Sequence, residues 1–148
     1  MFPNAKGSEL FSVLATIDPA SQAVGTANTG WISAANHLGF LALVQTGTLG
    51  TGATVDAKLQ QALDSAGTGA KEISGKAITQ IVKATGDNKQ VLVNVKPEEL
   101  DTVNGFGFVR LTVTVGVAAS ITSAQLLGVN PRYAPADVGN QAAVVQVI

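Results

Sequence analysis

Clusters of Gly, Asn, Asp and Pro break this chain at short intervals, at residues 25–30, 47–52, 66–69, 86–89, 101–105 and 128–135. The segments between them are too short for most helices and long enough for strands. That punctuation constrains the fold more than any other feature. A chain interrupted this often builds a core by pairing short extended segments.

The clearest such segment is 105–117. Val109, Leu111, Val113, Val115 and Val117 alternate with Arg110, Thr112 and Thr114, the period of a strand with one buried face. Residues 89–95 repeat the pattern, with Val91, Val93 and Val95 opposite Gln90, Leu92 and Asn94; the amides suit the wetter side. Residues 38–46 are apolar on both faces, which predicts a central strand or one covered on both sides. Residues 121–129 read similarly, and 26–33, which holds the single Trp, reads as a shorter strand.

Two segments satisfy both periods. Residues 55–63 place Val55, Ala57, Leu59, Gln61 and Leu63 on one strand face, or Val55, Leu59, Ala62 and Leu63 on one helical face. Intrinsic propensity favours the helix. Residues 71–82 show the same conflict, with Gly75 opposing a helix by about 1 kcal/mol relative to Ala. Pro97, Glu98, Glu99 and Leu100 predict one helical turn near 97–101, with Pro at the first position and acids at the positive end of the dipole.

The expected fold is therefore all-β: an antiparallel β-sandwich or jelly-roll-like barrel of about seven or eight strands, forming a single domain over 1–148. An arm at about 1–8 and the loop plus apolar β-prone run at about 130–148 stand apart as candidate inter-subunit arms. The run 142–148 is an aggregation hazard if uncovered, so it is expected to pair with its own sheet or a neighbour's.

Composition narrows function. The chain has nine Lys and Arg against ten Asp and Glu, a formal charge of −1, one His and no Cys, with 46% hydrophobic residues. Nucleic acid and anionic lipid are disfavoured as partners. Disulfides, thiolate metal sites and cysteine nucleophiles are excluded. Residues 1–14 hold one lysine and no apolar block of signal length, and the longest apolar stretch is 38–44. Neither export nor a membrane span is expected, and the chain is expected to fold in a cytoplasm.

Catalytic patterns are absent. His37 alone cannot make a two-histidine metal site, and it falls in an expected turn, where a solvated or locally hydrogen-bonded ring is the simpler reading. Asp56, Asp64 and Glu72 flank the Gly-rich stretch 65–70 without the alternate-residue oxygen spacing of a calcium loop, and read as solvated turn acids. Residues 69–77 lack the four-residue gap and the Ser or Thr of a phosphate-binding loop, and Gly47, Gly50 and Gly52 lack a following helix. No catalytic residue, cofactor, metal ligand or small-molecule substrate is expected.

Phe106, Phe108 and Arg110 share one strand face, either as a partner-facing patch or as a strand start buried on both faces. Arg132 and Tyr133, in the proline-bounded loop 131–135, are expected to be exposed and available to a partner.

The stretches GTGATVDAKLQQALDSAGTGAKEISGKAITQI (50–81), DNKQVLVNVKPEELD (87–101), GFVRLTVTVG (107–116) and LLGVNPRYAPAD (126–137) resemble small structural proteins of tailed-bacteriophage head gene clusters. Counted from Trp31, the resemblance reaches about two-thirds of the chain and consists of framework strands and loops. It implies that 55–64 and 73–83 are strands. It further implies a non-enzymatic capsid decoration, or cement, protein that binds outside the major capsid lattice and stabilises the head as a homo-oligomer, dimer or trimer. Such a chain is made in the host bacterial cytoplasm and resides on the capsid surface of the virion. The same composition suits a head–tail connector or tail structural protein, and a carbohydrate-binding attachment module is the reading from another class.

Overall fold

The computed structural model describes residues 4–133 and 135–148. Its strands are β1 (Phe11–Gln22), β2 (Gly25–Asn28), β3 (Ile32–Ser33), β4 (His37–Thr46), β5 (Thr54–Ala62), β6 (Lys71–Ala77), β7 (Ile81–Val82), β8 (Gln90–Val95), β9 (Phe108–Gly116) and β10 (Ser120–Pro131). One sheet runs β1-β10-β4-β8; the other runs β2-β9-β5-β6, with β3 extending it on β9 and β7 on β5. Every pairing is antiparallel.

Apart from the consecutive β5 and β6, the main strands pass alternately between the sheets, and the pairs β1·β10, β2·β9, β4·β8 and β5·β6 nest the chain on itself. This is the double-wound jelly roll, in which a long antiparallel ribbon is rolled into two facing sheets. The alternation read at 105–117 sets the core: Val109, Leu111, Val113 and Val115 turn inward from β9 to meet Val55, Ala57 and Leu59 of β5 and Phe40, Ala42 and Val44 of β4. Each large aliphatic side chain fully buried there stabilises the fold by about 1.5–3 kcal/mol.

Residues 55–63, open to either period, form β5, because only a strand lets Leu59 and Ala57 reach the facing sheet while Lys58 and Gln60 stay on the outer side. Other expectations change. The segment 73–83 is no single strand: β6 stops at Ala77, β7 is two residues, and α2 (Lys83–Gly86) follows. The register slips between Lys58↔Ala77 and Gln60↔Glu72, where Gly75 adopts φ +71, a bulge that the missing Cβ permits. The strand expected at 26–33 splits into β2 and β3. Val117 lies outside β9, exposed in the turn with φ +68.

β1 was not anticipated. Its alternation is broken by register shifts at Val13/Ala15 and Ile17/Ala20, and Pro19 sits near its end, as edge strands allow. Pro97–Glu99 forms the expected turn as a 3-10 helix, Glu99 reaching back to the Lys96 N–H at 2.8 Å. At the amino end, α1 (Gly7–Leu10) packs against β1, with Glu9 bonding the Lys6 N–H. The arm expected over 1–8 is therefore partly docked on its own chain where it is described.

At the carboxyl end a 3-10 turn, Ala136–Gly139, straps the edge of β1. The Val13 N–H donates to Asn140 Oδ1 at 2.8 Å, and the Gln141 N–H donates to the Val13 carbonyl at 2.8 Å. Beyond Gln141, the run 142–148 joins neither sheet of its own chain; Val145 and Ile148 are over nine-tenths exposed.

Candidate functional site

The two outward sheet faces are chemically unlike. On the β2-β9-β5-β6 sheet, polar side chains engage one another. Thr112 Oγ1 lies 2.7 Å from Asn28 Oδ1 and 2.9 Å from Gln60 Oε1, and Arg110 Nε donates to the same Gln60 oxygen at 2.9 Å. The Arg110 guanidinium stacks 4.5 Å from the Trp31 ring centre, a contact of roughly 0.5–1 kcal/mol. Lys58 pairs with Glu72, and Gln80 Nε2 donates to Asp56 at 2.8 Å. This face satisfies itself.

The β1-β10-β4-β8 sheet presents the opposite. Of the charged residues, only Asp18 lies on its four strands. Its cross-strand rows run Val13–Leu127–Leu41–Asn94, Thr16–Gln125–Leu43–Leu92 and Ser123–Gln45–Gln90. Leu41, Leu43 and Leu127 are half-buried, and Leu92 is 59% exposed. The expectation that 38–46 is a central strand holds, since β4 lies between β10 and β8. Only its inner face is fully buried, however, and the half-buried Leu41 and Leu43 belong to the other. The sequence signal was there, in a strand apolar on both sides, but which side lacked cover is a property of the topology.

The five candidate contact residues separate. Phe106 is buried at 9% exposure, with the Lys71 ammonium 4.1 Å above its ring. Phe108 and Arg110 are partly covered, Arg110 by Trp31 and Gln60. Arg132 and Tyr133 are exposed, Tyr133 by 79%. The structure thus gives Phe106 and Arg110 separate partners within the chain, leaves Phe108 half-buried, and leaves Arg132 and Tyr133 exposed after β10.

The carboxylates noted in the sequence do not converge. Asp64 Oδ1 accepts from the Ala66 and Thr68 N–H groups at 2.9 and 3.0 Å. These bonds, with the Thr68 side chain foremost, hold its pKa below the usual value. Asp87, Glu99 and Asp101 are lowered chiefly by hydrogen bonds from Lys83, Lys76 and Lys71 respectively. Among the described residues no group of three or more His, Asp or Glu side chains is placed to hold a metal, and no helix is long and apolar enough to cross a membrane.

His37 is a correction. It opens β4 at 5% exposure and is not a solvated turn residue. Its Nε2 lies 3.2 Å from Ser12 Oγ, which donates onward to the Ala136 carbonyl. That leaves Nε2 as the donor to Ser12 and Nδ1 as a buried acceptor with no partner. Burial pushes the ring's pKa down. Ser12 is fully buried, so the pair cannot meet a substrate; it fastens the carboxyl-terminal strap to β1 and β4.

No protein-family model matches the chain, and no curated protein matches it in sequence. Among solved structures it is similar to the cowpea mosaic virus top component, at 8% identity and a TM-score of 0.45, covering 87% of this chain and 94% of that one. It is similar to Triatoma virus at 8% identity and TM-score 0.47, covering 90% and 70%, and to a family 35 carbohydrate binding module from an environmental isolate at 14% and 0.37, covering 82% and 77%. At these identities and scores the likenesses carry no functional argument, and the jelly roll rests on the chain's own strand pairing.

Proposed function

We propose that this chain is a non-enzymatic structural protein of a phage virion, a decoration protein that binds outside the major capsid lattice and stabilises the head as a small homo-oligomer. The observation that carries the reading is a part-exposed leucine and amide sheet face, free of charge on its central rows, in a chain whose carboxylates do not converge on one site among the described residues. Surface of that kind marks a contact site, and the motif resemblance to tailed-phage head proteins supplies the assembly. A shell displays every site in many copies, so one oligomer bridging neighbouring capsomers needs only modest contacts. Arg132 and Tyr133 are the groups proposed to reach the shell.

Purified protein mixed with expanded empty shells of the matching phage is expected to co-sediment and raise their melting temperature by mass action. Copy number close to that of the capsid protein supports the decoration role, about a dozen copies would instead assign a connector, and no binding to shells of any maturation state would overturn the reading.

A further inference from the structure

The outward face of the β1-β10-β4-β8 sheet combines Leu41, Leu43, Leu92 and Leu127 with Gln125 and Gln45, and no ion stands among them. Aliphatic groups and amides are the chemistry that can meet a copy of itself. An amide both donates and accepts, so Gln can pair with Gln across a twofold axis. A charged partner surface would instead lose hydration against leucines with nothing to pair it. We infer that this face is the seam of a homodimer, two copies packing sheet to sheet about a twofold axis near the Gln125–Leu43 pair. The inference deepens the proposed function, resting on it for the need of an oligomer, but it is read out on the purified chain alone.

Size decides what else the seam needs. Four strands of about six residues cover roughly 19 by 20 Å, about 400 Å² on each copy. The pair then buries about 800 Å² before side-chain relief, short of the ~1,000 Å² at which specific interfaces begin. The run 142–148 leaves the chain at Gln141, which is bonded to Val13 on the edge of this same sheet. It carries no charged side chain and is exposed except at Val144, so it lies where it adds area to the seam. Isologous packing engages both tails at once.

The expected result is a reversible dimer of the 15.0 kDa chain with a micromolar dissociation constant, seen by sedimentation equilibrium or light scattering across a concentration series. Leu43→Lys places an unpaired charge in the seam and weakens it by roughly 100-fold or more, and removing 142–148 weakens it roughly tenfold. Mixing Leu43→Lys with Leu43→Glu restores a heterodimer, which a merely structural defect would not do. If Leu43→Lys does not fold, Leu92→Lys, at a 59% exposed site, serves the same purpose. Thr114→Lys on the opposite sheet leaves the dimer unchanged. A wild-type monomer at every concentration, or a dimer indifferent to Leu43→Lys and Leu92→Lys, overturns the inference. Shell binding by a chain that stays monomeric overturns this seam alone, whereas dimerisation without shell binding removes the capsid reading and keeps the seam.

Discussion

Buried polar atoms set the behaviour of single residues here. His37 is neutral in the folded chain because protonation would charge an enclosed ring whose Nδ1 has no acceptor. In the unfolded chain the ring takes up a proton near its ordinary value of 6.5. The unfolded state then binds more protons, so stability is complete above that pH and falls as pH drops below it. The lowered carboxylates, Asp64, Asp87, Glu99 and Asp101, lose their contribution from about pH 5 downward, so the window just below 6.5 belongs to His37. Thermal melts are expected to show the melting temperature falling across that window, and the His37→Gln variant losing this dependence. A Cβ at Gly128 would overlap the His37 ring, so Gly128→Ala is expected to destabilise by about 1–3 kcal/mol in denaturant titration. Val117 holds φ +68 while 72% exposed, a conformation that disfavours a β-branched side chain by roughly 1–2 kcal/mol. Val117→Gly is expected to raise stability by about 1 kcal/mol.

The elements differ in what they contribute. β10 lies between β1 and β4 and sends Leu126, fully buried, into the core. Leu126→Ala is expected to cost about 2–5 kcal/mol in urea unfolding, the range for a buried leucine that leaves a cavity. β6 is held differently: the ion pairs Lys71–Asp101 and Lys76–Glu99 tie it to the 97–104 loop at 2.5 and 2.7 Å. Such partly exposed pairs are screened by water and contribute little, so Lys76→Met is expected to shift the melting temperature little.

At the scale of the molecule, charge is partitioned between the sheets. Asp56, Lys58, Lys71, Glu72, Lys76 and Arg110 lie on strands of one sheet, against Asp18 alone on the other. Association through the uncharged face is therefore expected to be nearly independent of salt, the dimer constant changing less than about twofold from low to high ionic strength, because screening acts only on charges. A steep decline with salt would place the contact on the charged sheet.

The amino-acid sequence alone determined the β class, the inward register of β9 and β8, and the turn at Pro97, because period-2 alternation and proline stereochemistry act over a few residues. It also showed that 38–46 is apolar on both faces. Tertiary structure decided the rest. β1 escaped notice because its two bulges break the period by which strands are recognised, and 71–82 bulged at Gly75 and divided after Ala77, a choice made by pairing with β5. His37 became a buried fastener only when Ser12 and Ala136, distant in sequence, closed on it. The part-exposed leucine face exists because rolling the ribbon places one surface of β4 against the core and, among the described residues, leaves Leu41 and Leu43 on the other only half-buried. Alternation says that a strand has two sides; only long-range packing says which of them meets the core.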